Sequence, residues 1–187
     1  MNKKVSPLGV LAILLIAAAL VYFGWPLLTG AGRVGMKPPF TQEKLAQAIV
    51  TSFNTDNKQQ FTVTLYGYIE MEAMYSELIE NAEKNEVEDI EMARNAERRG
   101  MSGEYMDAVD SWDRIDASFE GDEQATLQYV SYDVGSRDFN HFTRKSSYDK
   151  FTIEMRSNAA DYLLVIDRLV ETDEGWKISG GMKLKRA

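Results

Sequence analysis

Residues 161–181 read DYLLVIDRLVETDEGWKISGG. Two apolar, alternating stretches meet at a short acidic turn that ends in glycine, the pattern of a β-hairpin. In the second stretch Trp176, Ile178, Met182 and Leu184 share one face, while Lys177, Ser179, Lys183 and Lys185 share the other. The first face is expected to fill a core and the second to meet solvent or a partner.

Working back from this hairpin, Phe151, Ile153 and Met155 alternate with Lys150, Thr152, Glu154 and Arg156, and Ser157-Asn158-Ala159 supplies a turn. Residues 135–146 read as a loop, and 125–134 as a strand. From Trp112 onward Ile115, Ala117 and Phe119 alternate with Asp116, Ser118 and Glu120, so a first strand is expected there, turning at Gly121-Asp122-Glu123. Five strands in sequence with short links predict an antiparallel sheet with helices on one side.

The helices come first. Thr41 is an N-cap, with Phe40 and Leu45 as a hydrophobic staple, and Leu45, Ala48, Ile49 and Phe53 recur at helical spacing. FTVTLYGYI (61–69) alternates and is read as a strand, with a second helix as the alternative. Met71, Met74, Tyr75, Leu78, Ile79 and Ala82 then form a helical stripe that continues through Val87, Ile90 and Ala93 toward Gly100. Such a stripe serves a core, or an adaptable binding surface.

Helices followed by a curved antiparallel sheet, with ASFEGDEQATLQYV (117–130) and LVETDEGWKISGG (169–181) as the carrying stretches, resembles the nuclear transport factor 2-like superfamily. The resemblance covers residues 40–187 and implies a sheet wrapped around the helices into a cone. It implies either an isomerase- or dehydratase-like site inside the cone or a non-catalytic binding domain, a choice that fold cannot make. Among membrane-anchored members, the single-span inner-membrane components of type IV secretion systems share the expected architecture. The acidic helical stretch 71–110 is longer than the family's compact fold requires.

The N-terminus carries its own signal. LGVLAILLIAAALVYFGWPLL (8–28) is uncharged and, as a helix, about 30 Å long, the thickness of a bilayer's hydrocarbon core. Tyr22 and Trp25 suit a lipid–water boundary. Cleavage as a signal peptide after Ala17-Ala18-Ala19 is the alternative. Lys3 and Lys4 precede the span, which favours an extracytoplasmic C-terminal domain. GAGRVG (30–35) matches a dinucleotide-binding pattern, but Pro38-Pro39 block the helix that would receive a pyrophosphate, so 29–39 reads as a linker. The expected domains are a cytoplasmic segment 1–7, an anchor 8–28, the linker 29–39 and an α+β domain 40–187. The fold class is thus α+β, with an N-terminal transmembrane helix followed by helices packed on a curved antiparallel sheet of about five to six strands. The expected location is a cytoplasmic (inner) membrane.

Composition narrows the chemistry. The chain lacks cysteine, so it has no thiolate nucleophile and no disulfide. Its net charge is −8, with four bases and no acid in residues 1–39, and an acidic remainder that argues against nucleic acid as a partner. The single histidine, His141, has Asp138 three residues away, a weak candidate acid–base pair. Asp107, Asp110, Asp113 and Asp116 make a row of single carboxylates, where calcium wants an enclosing loop. No cofactor or metal is expected.

Charge is segregated. Residues 70–110 hold 13 acids and 4 bases, whereas 135–187 hold 8 acids and 10 bases. RDFNHFTRK (137–145) places Phe139 and Phe142 among Arg137, Arg144 and Lys145, a mixture common in protein-contact hot spots. The candidate partner-binding residues are therefore Arg137, Phe139, Phe142, Arg144, Lys177, Lys183 and Lys185. The expected function is a membrane-anchored, non-catalytic interaction domain of an envelope complex. Its partners would be membrane protein subunits or further copies of itself, with residues 8–28 in the bilayer.

Overall fold

The computed structural model describes residues 40–119 and 124–187. Helix α1 (Gln42–Asn54) begins where the Thr41 hydroxyl accepts from Lys44 N at 3.2 Å, and it buries Leu45, Ala48, Ile49 and Phe53. A short α2 (Lys58–Thr62), α3 (Tyr68–Asn81) and the 30-residue α4 (Val87–Asp116) follow. Six strands complete the chain: β1 (Gln128–Val134), β2 (Arg137–Asn140), β3 (Lys145–Tyr148), β4 (Phe151–Arg156), β5 (Asp161–Thr172) and β6 (Gly175–Arg186).

The sheet is antiparallel throughout. β1 pairs with β4 and β2 with β3, while β3 and β4 both pair with β5, whose other neighbour is β6. β1–β2 and β3–β4 thus act as two long strands that bend at the same level. The bend sits at Gly135, where a Cβ would lie 2.1 Å from Asp149 Oδ1, and Ser136 N donates to that same oxygen at 2.7 Å. A second irregularity falls where Gly180 and Gly181 oppose Asp167, with Gly180 at φ +81. This bulge shifts the inward face of β5 from Leu164 and Ile166 to Leu169.

The main core lies between one face of the sheet, α1 and the C-terminal half of α4. Phe53 stacks on Trp112 at 5.5 Å, Phe119 meets both Phe53 and Tyr162 edge-on, and Ile153, Met155, Ile178 and Met182 close the layer from the strands. A second cluster holds Tyr66, Met71, Met74, Tyr75, Ile90, Met101 and Val170. Val170 neighbours the inward Leu169, so by strand alternation this cluster covers the opposite face of the β5–β6 hairpin. Helix α4 serves both clusters by passing the rim of β6, where Ser111 Oγ accepts from Met182 N at 3.1 Å. The rest of that rim is covered too. Phe40 N donates to Glu174 O, Trp176 N to Phe40 O and Ile178 N to Thr64 O, each at 2.9 Å.

Several expectations are corrected. The single-span membrane architecture and the inner-membrane location find no support: among the described residues no helix is long and apolar enough to cross a membrane. The long α4 carries charged residues throughout its length. The segments 1–7, 8–28 and 29–39 lie outside the described residues. The architecture stands as an α+β domain with an antiparallel six-stranded sheet. The strand expected from Trp112 is instead the end of α4 as far as Asp116, followed by a turn that carries Phe119, because Trp112 and Ile115 also fit a helical face and burial against Phe53 selects it. The strand read over 61–69 divides between α2 and α3, leaving one bridge from Leu65 to Ile178. The loop read over 135–146 contains β2 and the start of β3.

Candidate functional site

The second layer creates a groove. Residues of α3 and the α3–α4 turn form one wall, and the β2–β3 turn with Asp173 forms the other, enclosing ≈ 810 Å³. Met74, Leu78, Ala82 and Ile90 give the groove an apolar floor, and Glu77 and Glu86 stand on the helical side. His141, Phe142, Arg144 and Lys145 face them from the hairpin.

The hairpin turn is shaped by its own polar residues. The Asn140 side chain accepts from Phe142 N at 2.9 Å and Thr143 N at 3.2 Å, and Arg144 takes the left-handed backbone, φ 53. That arrangement buries Thr143 and leaves Phe142 53% exposed. Lys145 is committed to an ion pair with Asp173, which ties the two hairpin turns together. Arg144 makes no ion pair among the described residues.

The α3–α4 wall is built from polar clamps as well as apolar contacts. Glu97 of α4 accepts from Tyr66 OH at 2.8 Å and from Tyr75 OH at 2.7 Å. Burial, reinforced by the Glu97 charge, raises the pKa of both phenols, so they stay protonated donors. Glu72 of α3 pairs with Arg94 and, at 3.3 Å, with Arg98 of α4.

The predicted site residues separate into three groups. Phe142 and Arg144 line the groove with His141, and Phe139, 44% exposed, packs edge-on against the His141 ring at 5.3 Å. Arg137 lies on the same hairpin, but its guanidinium donates to Ser146 Oγ at 3.1 and 2.7 Å and braces β2 on β3. Lys183 and Lys185 are exposed on the far end of β6, where Lys183 lines a separate cleft beside Asp107 and Arg114.

Lys177 requires a correction. It is only 1% exposed, on the face covered by the second layer. Its ammonium donates to Val63 O at 2.8 Å, pairs with Glu174 at 3.1 Å and Glu70 at 3.6 Å, and lies 5.6 Å from the centre of the Phe40 ring. The three lysines therefore do not form one surface. Alternation placed Lys177 opposite Ile178, but only the path of α2 and α3 shows that this opposite face is also covered.

The acid–base pair is not assembled. The Asp138 carboxylate accepts from Phe139 N at 2.9 Å, and His141 is exposed on the turn with Phe139 as its neighbour. Asp113 of the aspartate row is taken up by Lys58, at 2.6 Å. Among the described residues no group of three or more acidic or histidine side chains is placed to hold a metal ion. The groove floor is legible in the sequence only as the binding-surface reading of the methionine stripe. Its signal was the C-terminal half of the methionine stripe, where Leu78, Ile79 and Ala82 are only half-buried.

Comparison of the chain with protein-family models, curated proteins and solved structures finds no match.

Proposed function

We propose that this domain acts by binding protein through the groove between α3 and the β2–β3 turn, without catalysis. The observation that carries the reading is Phe142, held out at the rim by the Asn140 turn beside an apolar floor and Arg144, which makes no ion pair among the described residues. A large exposed aromatic next to arginine, over a concave apolar surface, is the composition of contact hot spots. The alternative of a substrate site inside a cone loses ground, because Phe53, Trp112, Phe119 and Tyr162 fill the space between helices and sheet.

The order of helices before a bent antiparallel meander supports reading the fold as nuclear transport factor 2-like. The α3–α4 layer on the outer face of β5–β6 is then this chain's addition to it, and it accounts for the extra length of the acidic segment.

The test is a photo-crosslinking amino acid placed at position 142 of the full-length chain, with position 158 in the exposed β4–β5 turn as control. Discrete protein adducts at 142, absent at 158 and lost with Leu78→Asp, are expected. Equal labelling at both positions, or none at 142, overturns the reading.

A further inference from the structure

The groove is polarised. Glu77 and Glu86 stand on one wall, within an α3–α4 segment rich in acids, and Arg144 with Phe142 stands on the other. A purely basic partner would meet Arg144 unfavourably, and a purely acidic one would meet Glu77 and Glu86. A partner is accommodated when its own charges are arranged in the same order and reversed in direction. A second copy of this chain, turned about a two-fold axis that runs along the groove, has that property. In such an interface each wall meets the other wall of its neighbour.

We infer that the occupant of the groove is a second copy of the chain, in an isologous dimer. This inference rests on the binding role proposed above. Arg144 of each copy faces Glu77 of the other, and Phe142 of each copy enters the apolar floor formed by Met74, Leu78 and Ile90 of its neighbour. The aromatic knob supplies buried apolar area, and the crossed charges set the orientation. Neither Glu77 nor Arg144 has an ion-pair partner among the described residues, so both are available.

The arrangement is tested by trans-complementation, with sedimentation velocity on the full-length chain and its variants. Wild type is expected to dimerise, and Phe142→Ala to weaken the association about tenfold or more. Arg144→Glu and Glu77→Arg should each be shifted to monomer, because each places like charges at both symmetric contacts. Mixed one to one, the two variants should form a heterodimer. The carboxylate introduced at position 144 of one copy then faces the guanidinium introduced at position 77 of the other, while the second contact remains native. All these positions are exposed, and unchanged circular dichroism will show that the variants fold. A monomeric wild type, or single variants that stay dimeric, overturns the inference. So does a mixture that fails to associate. If the wild type is monomeric yet still gives a discrete adduct with another protein at position 142, only the second copy is excluded and the groove reading survives.

Discussion

The two ends of helix α4 are buried in different ways. Its C-terminal half presents Ala108, Trp112 and Ile115 to the main core, where aromatic rings from α1, α4 and β5 interlock. Its N-terminal half buries only Ile90 and Met101, and depends on Glu97 between two tyrosines and on Glu72 between two arginines. The first arrangement relies on buried area, which is non-directional and cooperative. The second relies on directed polar contacts, each modest in net energy because water competes for the same groups. The groove belongs to the second arrangement, so the surface proposed for binding rests on the less robust half of the molecule.

The contrast can be broken from the core side first. Phe53→Ala removes the ring stacked on Trp112 and should cost about 3–5 kcal/mol, seen as a large fall in Tm with both halves unfolding together. A smaller, local effect is expected at Lys177. Lys177→Met leaves Val63 O without its donor and should cost about 1–3 kcal/mol. Amide exchange should accelerate in α3 and around Leu65 before it does in β4 and β5. Uniform acceleration across the sheet would show that the two layers are one cooperative unit.

Glu97→Ala should act in the same region by leaving the hydroxyls of Tyr66 and Tyr75 unpaired, at a cost of about 1–2 kcal/mol. Met101 and Ile90 should lose protection, and Trp112 fluorescence should stay unchanged.

The smallest effect has the opposite sign. Burial, with Asp56 and Asp113 nearby, raises the pKa of Asp116 above the usual carboxylate value. The folded state therefore holds this proton more tightly than the unfolded chain. The group's contribution falls as pH rises through that window. Asp116→Asn should raise Tm slightly at neutral pH, and the gain should vanish once the medium is acidic enough to protonate Asp116 in both states. A gain independent of pH would assign the effect to something other than this titration.

Local pattern was enough for much of the scaffold. The Thr41 cap, the α1 stripe, the Met71–Met74–Tyr75 face and the β4–β5–β6 hairpins follow from side-chain periodicity and turn chemistry, which depend on near neighbours only. The same pattern failed at Trp112–Asp116, where spacing fits both periods and packing of Trp112 against Phe53 selects the helix. It failed again over residues 61–69, whose alternation gives way to helix on either side of Leu65.

Phe142 and Arg144 could be named from composition, but the wall they face could not. Whether Lys177 meets water depends on α2 and α3, about a hundred residues earlier in the chain. Periodicity tells which side of a strand a residue takes, since that is set by backbone geometry within two residues. Which sides are covered is set by contacts between distant segments, and for this chain those contacts turned one lysine inward and made a groove from half of a methionine stripe.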